Sequence, residues 1–139
     1  MDDAVLVAVD FLAALMDRQD ERHREAVRLC EKAKEEGRNF VVADAVVAAL
    51  TDRLRKRFTK PDEFERAVSF LLGLWEEGRV FFYLYALSAW DEVMGIVLNS
   101  RGRLDFTDAL LVVGAKRVGI EEVASFNEGF DGYLRRMTP

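Results

Sequence analysis

A chain of 139 residues, half of them hydrophobic and 32% charged, is long enough to bury one proper core and too apolar for a disordered segment. The formal net charge of −5 and a pI near 5.0 exclude indiscriminate nucleic-acid binding through bulk charge, while leaving room for a local basic patch. A lone cysteine, Cys30, and a lone histidine, His23, exclude an internal disulfide framework, a Cys-rich zinc site and chemistry built on paired histidines.

No apolar run approaches the ~20 residues of a membrane span. The acidic start, Asp2 and Asp3, is unlike the basic leader of a secretory signal. A reducing, cytoplasmic setting without a membrane partner is expected.

In chain order, residues 4–9 are apolar and rich in β-branched side chains, which predicts a strand buried on both faces. Phe11, Leu12, Ala14 and Leu15 follow as a short helix against the sheet, with Asp10 placed to cap it. Asp20 is the expected cap of a second helix over 20–36, whose stripe holds Ala26, Val27, Leu29, Cys30 and Ala33. Gly37 stops it. His23 is expected on its surface, and Cys30 as an inert thiol against the core.

Residues 40–43 read as the second strand, and Asp44 as the cap of a helix to about residue 58 with Val46, Val47, Leu50 and Leu54 inward. A further helix opens at Asp62, with Phe64, Ala67, Val68, Leu71, Leu72 and Trp75 as its apolar face and Gly78 as its end. Residues 80–85 are the third strand. Their aromatics, Phe81, Phe82, Tyr83 and Tyr85, fit a central strand better than a base-stacking platform. Ser88 and Asp91 have capping-box spacing for a helix ending near Leu98. Trp90 anchors that helix or reaches a partner's surface.

After the turn at residues 100–103, Asp105 caps a helix whose body, residues 109–115, is apolar all round and therefore deeply buried. Residues 123–126 are a fourth strand and 133–137 a short last one. Alternating strands and helices call for a single domain, residues 1–139, built as a three-layer α/β/α sandwich on a mostly parallel sheet of four to five strands. Chemistry in such sheets gathers at the carboxyl ends of the strands.

At those ends the chain resembles the PIN domain, and within it the VapC-like toxin ribonucleases. Val5-Leu6-Val7-Ala8-Val9-Asp10-Phe11-Leu12 is similar to the family's first strand and its Asp-Thr-Ser turn. Asp20-Glu21-Arg22-His23-Arg24-Glu25-Ala26 resembles the following D-x-x-H-x-x-A helix start. Leu104-Asp105-Phe106-Thr107-Asp108-Ala109 resembles L-S-F-T-D-C/A, and Gly119-Ile120-Glu121-Glu122-Val123-Ala124-Ser125-Phe126-Asn127-Glu128-Gly129-Phe130 resembles G-I-x-x-V-x-T-F-D-x-x-F. The likeness runs in order along nearly the whole chain, and the last two segments are the specific ones.

The resemblance implies metal-assisted phosphodiester hydrolysis, in which three or four carboxylates hold Mg²⁺ or Mn²⁺ and the ion generates hydroxide and offsets charge on phosphate. Carried over position by position, the first acid falls on Ala8, the second on Ala49, the third on Asp108 and the last on Asn127. One acid of four is kept. Alanine offers a hard cation nothing, and an amide only a neutral oxygen.

The reading that follows is a degenerate PIN-domain protein, catalytically impaired and without a resident cofactor. It would act by binding, as the homodimer the family resemblance implies, or through a groove for an antitoxin-like protein partner. The alternative is an active Mg²⁺- or Mn²⁺-dependent endoribonuclease, the toxin of a toxin–antitoxin pair. In it Asp10, Asp105 and Asp108 rebuild a displaced acidic cluster, with Asp108 and Asp10 as the metal ligands. Against it stands a capping role for Asp105 and Asp108 at the helix start. A third reading is RNA contact through the basic run Arg53, Arg55, Lys56 and Arg57, set against the commoner solvated helix end whose cations complement the dipole.

Overall fold

The structure, a computed structural model, describes residues 3–76, 80–81 and 89–138, with the side chains of residues 75, 80 and 81 left aside. The expected contributions of Trp75, Gly78, Phe81, Phe82, Tyr83, Tyr85 and Ser88 lie outside the described residues.

The elements alternate as expected. Strand β1 (Ala4–Val7) leads into helices α1 (Val9–Met16) and α2 (His23–Glu35). Strand β2 (Asn39–Ala43) leads into α3 (Asp44–Arg57) and α4 (Pro61–Glu76), and β3 (Val80–Phe81) precedes α5 (Trp90–Asn99) and α6 (Phe106–Val118). Strand β4 (Glu122–Ala124), a 3₁₀ turn at Glu128–Phe130 and β5 (Arg135–Arg136) complete the domain. The sheet order is β3-β2-β1-β4-β5, and every pairing among the described residues is parallel. Where a mostly parallel sheet was expected, a wholly parallel one is found.

Strand β1 is central, and all four of its residues are buried, as a strand covered on both faces requires. It ends at Val7 rather than at residue 9. Ala8 is the extended N-cap and Val9 is already helical, a boundary hidden in the sequence because both sides of it are apolar. Helix α2 likewise starts at His23 rather than at Asp20. The Asp20 carboxylate instead accepts from the Arg22 backbone N–H at 2.8 Å, closing a turn one step before the helix. Asp44 lies inside α3, not before it, and accepts from the Ala45 N–H at 2.8 Å.

Helix α1 packs on α2 and α3, α3 on α4, and α5 on α6. One large apolar cluster joins β1, α1 and α2 to parts of every other layer, with Phe11, Leu29, Leu50, Leu111 and Phe130 among its fully buried side chains. A smaller cluster of Ala89, Val93, Ala109, Leu110 and Val113 glues α5 to α6. The body of α6, Ala109 to Ala115, is buried throughout, as its unbroken apolar run predicts. Gly119 ends it at φ 77°, a left-handed position glycine occupies without a Cβ penalty. The α4 face departs from expectation: Ala67 and Leu71 are buried, but Leu72 is 59% exposed.

Strands β2 and β4 flank β1 on opposite sides. The chain leaves β1 toward β2 and later returns, past it, to β4. The carboxyl edge between β1 and β4 is therefore the topological switch point, where open parallel sheets leave a crevice for ligands.

Candidate functional site

At that edge Asp10 sits in the first turn of α1. The expected capping role is corrected: the N-cap is Ala8, which makes no side-chain bond, and the Asp10 carboxylate, besides taking the Phe11 N–H of its own turn, reaches the residues that follow β4. Its Oδ1 accepts from the Phe11 N–H at 2.8 Å and from Ser125 Oγ at 2.9 Å. Its Oδ2 accepts from the Phe126 N–H at 2.9 Å and lies 3.0 Å from the same Ser125 hydroxyl. Ser125 is 2% exposed and also accepts from the Asn127 N–H at 3.0 Å. These bonds explain why β4 stops at Ala124 rather than at residue 126: the Phe126 N–H goes to Asp10 and the Asn127 N–H to Ser125 Oγ, so neither joins the ladder.

Asn127 is used at both ends of its amide. Nδ2 donates to the Arg103 carbonyl at 2.8 Å, and Oδ1 accepts from the Gly129 N–H at 2.8 Å. Gly129 is required by this closeness. A Cβ there would lie 2.9 Å from Asn127 Oδ1 and 3.2 Å from the Arg103 carbonyl.

Asp105 and Asp108 form the reciprocal capping box of α6. Asp105 Oδ1 accepts from the Asp108 N–H at 2.9 Å, and Asp108 Oδ2 from the Asp105 N–H at 3.4 Å. Burial, then the negative charge of Asp105, push the Asp108 carboxyl up to about 7; the bond from the Asp105 N–H pulls the other way, and the charge of Asp10 adds to the rise. The structure thus brings Asp10 and Asp108 within electrostatic reach of each other. Ala8 is fully buried and Ala49 half-buried on α3. Among the described residues, no three His, Cys, Asp or Glu side chains gather closely enough to hold a metal ion.

The basic run of α3 is largely spoken for. Arg55 and Lys56 both reach Asp52, at 2.9 and 3.1 Å. Arg57 binds Asp17 at the end of α1 through two nitrogens, at 2.7 and 3.2 Å, and its guanidinium lies 5.0 Å from the Phe58 ring centroid. Arg53 is exposed. Burial raises the Asp17 carboxyl, but the Arg57 bonds, the Gln19 N–H and the charges of Arg57 and His23 together hold it below its ordinary value.

Two side chains beside the edge drew no functional reading from sequence. Arg22 lies over the Phe126 ring, 5.4 Å from its centroid, and Phe126 in turn packs on Phe11 at 6.1 Å. Ser125 falls on the hydroxyl position of the family segment G-I-x-x-V-x-T-F-D-x-x-F, but nothing local in sequence marks Asp10 as its partner. His23 is half-buried rather than on the surface; its Nδ1 lies 2.9 Å from the Ala14 carbonyl and joins α2 to α1. Cys30 is partly buried against the main core, as expected.

A groove of about 510 Å³ opens between the end of α1, the end of α3 and α4. Leu15, Met16, Phe58, Ala67 and Phe70 form its apolar wall, and Arg57 is among its charged rim residues. Elsewhere Trp90 is 53% and Leu98 74% exposed on α5, and Trp90 packs against Phe106 with ring centroids 6.0 Å apart and the rings tilted by 46°.

No protein-family model and no curated protein sequence matches the chain. Solved structures do. VapC20 of Mycobacterium tuberculosis, a sarcin-ricin loop cleaving toxin, matches with a TM-score of 0.73 at 20% identity, over 97% of this chain and 99% of the other. VapBC2 from Rickettsia felis, bound to a DNA fragment from their promoter, matches with a TM-score of 0.64 at 11% identity, over 96% and 97%. At these identities the likeness establishes the fold. The domain is an α/β, PIN-like domain of the kind seen in VapC toxins.

Proposed function

We propose that this chain is a VapC-like PIN-domain protein with a degenerate acidic site, impaired in metal-dependent RNA cleavage and acting by binding a partner. The observation that carries the reading is the fate of the four positions where the family resemblance expects acids. Ala8 and Ala49 bring no donor, Asp108 is engaged in a helix cap, and both ends of the Asn127 amide are engaged by Arg103 and Gly129. Mg²⁺ keeps its waters unless anionic oxygens are offered in a fixed shell, and this donor set does not fit it. No cofactor is assigned.

Binding is supported by the apolar groove between α1, α3 and α4, which suits the apolar face of an amphipathic helix, as in an antitoxin-like protein partner. The exposed Trp90 and Leu98 on α5 support a homodimer. No helix among the described residues is long and apolar enough to cross a membrane; a cytoplasmic setting is part of the proposal and is argued from the lone Cys30. RNA contact through Arg53, Arg55, Lys56 and Arg57 has weaker support, because three of these cations already pair with acids of the chain, Arg55 and Lys56 sharing Asp52 and Arg57 taking Asp17.

The alternative reading, an active Mg²⁺- or Mn²⁺-dependent endoribonuclease using Asp10, Asp105 and Asp108, draws on one observation: the charge of Asp10 is felt at Asp108. The two readings separate in a cleavage assay with Mn²⁺ on a structured RNA. The binding reading expects no cleavage above that of an Asp108→Asn variant. Cleavage by the native chain that Asp108→Asn abolishes would establish the enzyme.

A further inference from the structure

We infer that Asp10 is a positioning residue that latches the carboxyl edge of the sheet, so that hydrogen bonds of the chain itself hold together what a bridging cation would otherwise hold. The inference rests on the reading just given and adds a role that reading does not contain.

The edge joins three segments remote in sequence: the start of α1, the turn after β4 and the turn before α6. Carboxylates at such a junction repel unless something positive lies between them. Here the cross-links run through neutral donors. Asp10 accepts from its neighbour Phe11 and, across the switch point, from Ser125 Oγ and the Phe126 N–H. Ser125 accepts from the Asn127 N–H, and Asn127 passes the connection to the Arg103 carbonyl. The relay Asp10–Ser125–Asn127–Arg103 thus spans all three segments.

Each link is directional. Three donors, the Phe11 and Phe126 N–H groups and the single Ser125 hydroxyl proton, meet the two oxygens of the Asp10 carboxylate at 2.8–3.0 Å and use most of its ~4 lone-pair directions. Ser125 is buried and has one hydroxyl proton, which the Asn127 N–H directs toward Asp10 by taking a lone pair. The latch also sets Phe126, whose ring carries the Arg22 guanidinium. Arg22 also pairs with Glu25 at 3.2 Å, so Asp10 supports the Phe126 contact of that cation alongside this pair.

The test is thermal unfolding of the full chain, native, Asp10→Asn, Ser125→Ala and the double variant, each in EDTA and in MnCl₂. Asp10→Asn replaces an acceptor by a donor facing the Phe126 N–H or the Ser125 hydroxyl. We expect each single variant to lower Tm by roughly 5–10 °C, and the double variant to fall by clearly less than the sum. The native Tm is expected to be the same in EDTA and in MnCl₂. A saturable rise in Tm with MnCl₂ that Asp10→Asn removes would make Asp10 a metal ligand and overturn the latch; additive losses would overturn it as well. If Asp10→Asn does not fold, amide exchange of the native chain decides: a protected Phe126 N–H in EDTA supports the latch and a freely exchanging one refutes it. RNA cleavage by a chain that passes these tests would defeat the proposed function and leave the latch standing.

Discussion

Ser125 Oγ lies 2.9 and 3.0 Å from the two carboxylate oxygens of Asp10, although 115 residues separate them. This contact closes the switch point of the sheet. It also turns a carboxylate that the alternative reading offers as a displaced metal ligand into the acceptor of a structural network.

The Asp108 carboxyl gives a pH signature. Its folded pKa, about 7, lies above its ordinary 3.8, so between those values the folded state holds the proton more tightly than the unfolded state does. This group's contribution to stability is therefore highest below pH 4 and declines as pH rises toward 7. Asp108→Asn should flatten that part of the stability–pH curve, measured by urea unfolding from pH 4 to 7. An unchanged slope would contradict the burial and charge repulsion assigned to Asp108.

Asp105 is the N-cap of the buried helix. Asp105→Ala leaves the Asp108 N–H without its acceptor and should cost about 0.5–2 kcal/mol, typically 1. It also removes the main negative neighbour of Asp108, so the Asp108 carboxyl should titrate lower, observable by NMR.

Gly129→Ala should destabilise the domain by about 1–3 kcal/mol, since the added methyl meets the Asn127 oxygen at 2.9 Å and the Arg103 backbone at 3.2 Å. A neutral substitution would mean that the turn after β4 is not held to the turn before α6 as described.

Asp17 and Arg57 clamp the end of α1 to the end of α3. The folded pKa of Asp17 is lowered, so the clamp's contribution is present above the ordinary carboxylate range and is lost as pH falls through the folded value. Arg57→Ala should lower Tm at pH 7 and have little effect in strong acid. The same variant changes one wall of the α1–α3–α4 groove.

Phe70, 41% exposed at that groove, tests the docking surface. Phe70→Glu should change stability by less than about 0.5 kcal/mol, as for an ordinary surface site. It should weaken a helical partner peptide by tenfold or more, read by fluorescence anisotropy. Undiminished binding would move the partner to another face.

Much of the fold was legible because its signals are local. The valine-rich run before Asp10 marks the central strand, and the apolar body of α6 with Asp105 before it and Gly119 after it marks a buried helix at both ends. Boundaries were less legible where the physics is shared between neighbours. Val9 suits a strand or a helix equally, and Asp20 caps a turn that only tertiary packing separates from α2. Leu72 looks like a core residue by spacing, yet α4 buries Ala67 and Leu71 and leaves Leu72 in solvent. Of the candidate site, the cap made by Asp105 and Asp108 could be read from a spacing of three residues. The Asp10–Ser125 pair could not, because it depends on β1 and β4 becoming neighbours.

Calorimetric titration of Mn²⁺ into the metal-free full chain asks whether the carboxyl edge can seat a divalent ion. No saturable heat beyond dilution is expected, for the native protein and for Asp108→Asn alike. A saturable isotherm in the native protein that Asp108→Asn abolishes would contradict the degenerate acidic site.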